Sequence, residues 1–373
     1  MARDYNDYVE AAFMPLVDAC AFKQGHLLKT ANLPEDRKQE QFARFKNLKI
    51  DLSRASPTAS GGFVAIAKED ELELLLVCAP SLNDQEVYSF EDFLLTEYEW
   101  TSVEFDEATF LVVAKELFGF LKLKSDYRNE ASALDLLDII DEDYQGHDLL
   151  SIKDVYHSVR VFEIEAGNAL HDKGVSEIIL KLAAASPQLR SPILTESVAD
   201  AIISLDGKVG CSSFNLEQAI NAAQWRHAFL DIYRCLESLF FFPWVYKLKI
   251  ITNPGTSILE IRNRCKEDLR WTAKEKDSIS ELFLLVTSSE MKAIETSDEF
   301  FKEVANDPSA RRDAFGRRVY FARNCLVHHE DREKPDAAMP SSQDYQSLTL
   351  YLCEFLKAFD TKYGRLWLQE ARV

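Results

Sequence analysis

Glycine and proline are scarce in this chain of 373 residues, at 12 and 11. That scarcity disfavours turn-rich sandwiches and low-complexity linkers, and favours helices. Uninterrupted apolar runs are short. The most apolar stretch, around Leu239 to Leu248, contains Pro243 and Lys247 and falls short of the roughly 18 to 20 residues of a membrane span. The first residues, MARDYNDYVEAAF, carry acids where a secretory leader needs bases. The seven cysteines form no close C-x-x-C pair, and an odd, unpatterned set predicts reduced thiols and a cytoplasmic location. The sequence has no P-loop, no G-x-G-x-x-G and no G-x-S-x-G, which removes the motif-level case for an ATPase, a dinucleotide enzyme or an α/β-hydrolase.

What is present is apolar mass and acid. Hydrophobic residues make up 47% and aromatics 11% of the chain, while the formal net charge is −19. The first value permits buried cores, and the length predicts two of them. The second is wrong for a nucleic-acid binder until the chain is divided. From Phe214 to Val373 there are 23 Lys and Arg against 24 Asp and Glu, and the remainder holds 20 against 38. Nearly all the excess acid lies in the N-terminal part, so a local basic face in the C-terminal part remains open.

Patterning changes along the chain. Residues 1 to about 56 predict helix, with Phe13, Leu16, Val17 and Cys20 at helical spacing and a connector near Arg37 to Lys49. Phe63 to Ala67 and Leu72 to Cys78 are apolar runs separated by Lys68-Glu69-Asp70-Glu71, a hairpin signature. Thr109 to Lys124 predicts a helix, Val155 to Ile164 a strand, and Ser176 to Ala185 a helix. The acid run from Asp135 to Asp143 fits a solvated face. Beyond about Asn215 strand signals nearly vanish. Ser213 or Asn215 is placed to cap a helix running to Phe242, where Pro243 breaks it. Further helices are expected at Ile258 to Lys266, Asp277 to Val286, after Ser297 or Asp298, and at Asp313 to Val327. A final long helix begins at Ser341 or Ser342, with Leu348, Tyr351, Leu352, Phe355, Leu356 and Phe359 as its apolar stripe. The expected architecture is an acidic α+β domain over 1–205 and an all-α helical bundle over 214–373.

The segment that could carry chemistry is Arg317-Arg318-Val319-Tyr320-Phe321-Ala322-Arg323-Asn324-Cys325-Leu326-Val327-His328-His329. Arginine offers a forked, always-charged donor to phosphate oxygens. Histidine exchanges protons near neutral pH, and the amide of Asn324 can orient either group. A ribose 2′-hydroxyl is an internal nucleophile, so these groups meet the needs of RNA cleavage without a metal. A solvated basic helix end, with the histidines favoured by the helix dipole, fits the same spacing. A metal cluster at His328-His329-Glu330-Asp331 fits poorly, because adjacent side chains diverge. His227 and the cysteines, Cys325 included, are expected to pack rather than react.

Arg323-Asn324-Cys325-Leu326-Val327-His328 resembles the R-x(4–6)-H signature of the HEPN superfamily, and Arg226 to Phe240 is similar to an early helix of such proteins from prokaryotic defence loci. The resemblance covers roughly residues 215 to 373. It implies a metal-independent endoribonuclease without cofactors that leaves a 2′,3′-cyclic phosphate and works as a homodimer. Toxins and effectors that stop growth after phage infection are common in the family. It further implies catalytic roles for Arg323, Asn324, His328 and His329, with Arg317 and Arg318 on neighbouring phosphates and Glu237 or Arg234 in support. The acidic domain would then sense a trigger or inhibitor protein. Two other readings stand beside it: an inactive RNA-binding, nucleotide-binding or dimerisation module, and an acidic scaffold for a basic partner.

Overall fold

The structure, a computed structural model, describes residues 3–20, 31–33, 35–80, 85, 88–89, 91–92, 95–96, 100–137, 146–164, 170–252, 257–267, 275–286, 308–327 and 340–368. The chain divides into two compact units, Met1–Leu189 and Arg190–Val373. Among the described residues no helix is long and apolar enough to cross a membrane.

The first unit is α+β. Its elements are α1 (Tyr5–Ala19), β1 (Ala31–Asn32), α2 (Lys38–Asn47), β2 (Lys49–Pro57), β3 (Phe63–Glu69), β4 (Leu72–Cys78), β5 (Thr101–Val103), α3 (Glu107–Glu116), α4 (Glu130–Leu137), β6 (His147–Asp148), α5 (Leu149–Asp154), β7 (Val159–Ile164) and α6 (Leu170–Ala185). Five strands form an antiparallel sheet in the order β2-β3-β4-β7-β5. The expected hairpin is β3–β4, paired from Phe63 with Cys78 to Glu69 with Leu72. Asp70 makes the turn in a left-handed conformation at φ 53°, which aspartate tolerates better than most residues.

Both strands are apolar without alternation because both faces of the sheet are covered. Phe63, Ala65, Ala67, Leu74, Leu76, Val159 and Val161 join one core with residues of α1, α3 and α5. On the other side α6 packs against β2 and β3. Gly62, just before β3, allows a close approach: a Cβ there would lie 1.9 Å from the Cys78 carbonyl oxygen.

Several expectations shift. Lys49–Pro57 is strand rather than helix, because the edge position lets a mostly polar segment pair on one side, with a bulge between Asp51 and Ala55. The helix expected to reach Lys124 stops at Glu116, and Gly119 follows at φ 88°. The strand expected from Val155 begins at Val159, and α6 starts before Ser176 with a break at Gly174. Asp138 to Asp143 lie outside the described residues.

The second unit is helical among its described residues: α7 (Glu196–Ile203), α8 (Ser213–Ile220), α9 (Trp225–Glu237), α10 (Phe242–Thr252), α11 (Ile258–Glu267), α12 (Glu275–Leu285), α13 (Pro308–Val327) and α14 (Ser342–Leu368). The 27 residues of α14 span about 40 Å at 1.5 Å per residue and give the other helices a common spine. Ser341 opens it as a capping box: its hydroxyl accepts from the Asp344 amide at 3.2 Å, and Asp344 Oδ2 accepts from the Ser341 amide at 2.6 Å. Phe229, Phe283, Phe315, Tyr351, Phe355 and Phe359 fill the core.

The unit boundary falls at Leu189/Arg190 rather than near 205–214. The reason is α7, whose buried Val198, Ala199, Ala201 and Ile202 pack this segment with α8 and α14. The single helix expected from Ser213 to Phe242 is two, α8 and α9, which begin after Ser212 and Gln224 without a side-chain cap at either. Pro243 sits in the first turn of α10, where its missing N–H costs nothing, so it starts a helix rather than only ending one. The helix expected after Ser297 or Asp298 lies outside the described residues.

Candidate functional site

Helix α13 sets Phe315, Val319 and Ala322 into the core at helical spacing. This anchors the helix against α12 and orients its last turn. Arg323 comes next, with its side chain 18% exposed. Its Nη1 donates to Asn324 Oδ1 at 3.1 Å. Its Nε lies 3.3 Å from Glu275 Oε1, and its Nη2 lies 3.7 Å from Glu237 Oε1. The guanidinium carbon stands 6.0 Å from the centre of the Tyr233 ring, at the outer limit of a cation–π contact.

These partners come from separate elements for local reasons. Tyr233 and Glu237 are four residues apart on α9, so they share a face. Glu275 is the first residue of α12, where the helix dipole favours a carboxylate. The Tyr233 hydroxyl donates to the same Glu275 oxygen. Burial first, and then Glu275, pushes the Tyr233 phenol far above its usual range, so it remains a neutral donor. The Glu237 carboxyl is also raised. Burial is the largest cause, Arg323 opposes it, and Glu275 adds to it. One arginine is thus oriented by two carboxylates, an amide and a phenol ring.

The other expected residues are spread over the unit. Glu237 meets Arg323, whereas Arg234 pairs with Asp231 on its own helix at 2.6 Å. Arg317 is exposed and Arg318 half-buried on α13. Six helical residues rotate Arg317 about 240° from Arg323, and five rotate Arg318 about 140°, so the three do not line one face. His328 and His329 lie outside the described residues, directly after Val327, the end of α13. Among the described residues no three His, Cys, Asp or Glu side chains gather as metal ligands would. Glu275 and Tyr233 were not singled out in the sequence. Tyr233 carries a weak signal, its i−4 relation to Glu237, and Glu275 carries none, since its contact with Arg323 spans a long stretch of chain. Comparisons of the chain with protein-family models, curated proteins and solved structures find no match.

Proposed function

We propose that the helical unit is a metal-independent endoribonuclease of the HEPN type, acting as a homodimer. The observation that carries this reading is the orientation of Arg323 by Glu237, Glu275 and Asn324, with His328 and His329 five and six residues further on in the sequence. Arg323 holds a non-bridging oxygen of the scissile phosphate. A histidine, His328 first and His329 assisting, takes the proton of the ribose 2′-hydroxyl. The 2′-oxygen attacks phosphorus, the P–O5′ bond breaks, and the leaving 5′-oxygen receives a proton. The products are a 2′,3′-cyclic phosphate and a 5′-hydroxyl. Arginine supplies transition-state charge stabilisation and histidine proton transfer. The acidic first unit serves as the receiver of a trigger or inhibitor protein, a role that rests on its charge alone.

A second reading is favoured by the same contacts. Two carboxylates on one guanidinium also describe an ion pair that only holds helices together, in a bundle that binds or dimerises without cutting. RNA incubated in EDTA with wild type, Arg323→Ala and His328→Ala separates the two. Cleavage by wild type alone, with cyclic phosphate ends, supports the nuclease. Inert wild type across a range of RNAs supports the structural ion pair, and equal cutting by the variants removes this site.

A further inference from the structure

A cleft of about 880 Å³ opens in the helical unit, lined by the start of α9, the end of α13 and the start of α14. Its size is within the range of small-ligand sites. Trp225, Arg226 and His227 stand on one wall, Cys325 and Leu326 on another, and Tyr345 on a third. No acidic side chain lines it among the described residues. That is unusual for a chain carrying a net charge of −19.

Three features of the lining point to one chemistry. Arg226 is exposed and, among the described residues, has no ion-pair partner. Arg234, also exposed, is by contrast ion-paired with Asp231, and the largely buried Arg323 with Glu237 and Glu275. Trp225 is half-buried, which leaves part of the indole facing the cleft while the rest is packed. The first turn of α9 has no side-chain cap, so its outermost amides add donors beside Arg226. A cation next to an aromatic side chain, in a cleft whose described lining carries no acid, fits a phosphate joined to a stacking base.

We infer that this cleft binds one nucleotide unit of single-stranded RNA, with the base stacked on Trp225 and its phosphate on Arg226. The link to cleavage rests on the nuclease reading, because Cys325 and Leu326 are two and three residues beyond Arg323. The stretch of α9 from Tyr233 back to Arg226 covers about 10 Å at 1.5 Å per residue. A strand seated in the cleft therefore reaches Arg323 within a few nucleotides. The cleft fixes which nucleotide lies beside the scissile bond and so sets sequence or loop preference.

The test uses the full chain carrying Arg323→Ala, which blocks cutting, and a labelled single-stranded oligoribonucleotide read by fluorescence anisotropy. Arg226→Gln and Trp225→Leu are added singly, with circular dichroism to confirm that each folds. Each is expected to weaken binding about 5- to 50-fold, the scale of a lost phosphate contact or stacked base, and Arg226→Gln also to lower the salt dependence. Competition with adenosine monophosphate distinguishes the source of the nucleotide: weak competition supports a strand, and strong competition with no oligoribonucleotide binding overturns the RNA assignment. Unchanged affinity in both folded variants overturns the cleft itself. If wild type cuts RNA while those variants bind normally, the cleft fails and the nuclease stands. If the cleft binds RNA and wild type cuts nothing, the nuclease fails and the cleft stands.

Discussion

Replacing Glu275 by alanine removes the carboxylate that accepts from the Tyr233 hydroxyl and lies 3.3 Å from the Arg323 Nε. The size of the effect depends on exposure. The side chains of Arg323 and Glu275 are 18% and 26% exposed, between a surface pair and a buried one. Exposed pairs contribute about 0.2–1 kcal/mol, whereas breaking a fully buried pair costs about 3–5 kcal/mol. The expected coupling between the two residues is about 1–2 kcal/mol in a double-mutant cycle of Arg323→Ala and Glu275→Ala. For the 184 residues of Arg190–Val373, that corresponds to about 2–8 °C in Tm. Urea unfolding of the four proteins supplies the cycle. A control cycle of Arg323→Ala with Glu260→Ala, whose partner is Arg264, should be additive within about 0.5 kcal/mol. A coupling below about 0.3 kcal/mol in the first cycle would refute the idea that Glu275 holds Arg323.

The same packing sets further outcomes. Asp106 caps α3 through the Thr109 amide at 2.8 Å and accepts from Gln41 and Arg44 at 3.0 and 2.6 Å. Asp106→Ala should cost about 2–4 kcal/mol in urea unfolding, from the lost cap and the stranded donors, and a cost under about 0.5 kcal/mol would contradict those contacts. Burial raises the Asp106 carboxyl, but Thr109, Arg44 and Gln41 outweigh it, so its folded value lies below the ordinary 3.8. Its contribution is therefore present above pH 3.8 and lost as pH falls through the lower folded value; Asp106→Asn should flatten that acid limb. Phe242 is fully buried among Phe359, Tyr363 and Trp367, with ring centres at 4.7, 5.1 and 5.7 Å. Phe242→Ala should cost about 3–5 kcal/mol by thermal unfolding, and a near-neutral result would show that this cluster is loosely packed.

The parts of the fold that were legible are those in which local chemistry and tertiary context agree. The β3–β4 hairpin is visible because its two apolar runs flank Lys68-Glu69-Asp70-Glu71, and the α14 stripe because one face of a 27-residue helix is buried along its length. The edge strand β2 was hidden. Leu52 is 63% exposed and only Ile50 is buried, so its pairing comes from β3 rather than from its own pattern. The gap between α8 and α9, Asn221 to Gln224, contains no glycine or proline and left no breaker to see. The site shows the same division. Arg323 and Glu237 were found through motif and helix position, whereas Glu275 reaches them only once α12 is folded against α13.

That distant carboxylate makes Glu237 the decisive residue. With Arg323, Glu237 and Glu275 all charged, the cluster holds one positive and two negative charges, and a phosphate brings another negative charge to it. Glu237 is the more exposed of the two acids, and its carboxyl is held above the ordinary 4.5, by burial first and by Glu275 next. Its neutral form is favoured in the fold, so the stability it contributes is complete below pH 4.5 and is lost as pH rises through the higher folded value. Glu237→Gln keeps an acceptor near Arg323 and removes the charge. If Glu237 restrains Arg323 electrostatically, the substitution should tighten RNA binding by on the order of 1 kcal/mol, about 5-fold at low salt, with the gain shrinking as salt screens it. Binding would be read in the Arg323-intact protein with a 2′-deoxy substitution at the cleavage site, which removes the nucleophile. A Glu237→Gln variant that loses as much affinity as Arg323→Ala would instead make Glu237 a pure orienting group, whose charge is required to aim the guanidinium at phosphate.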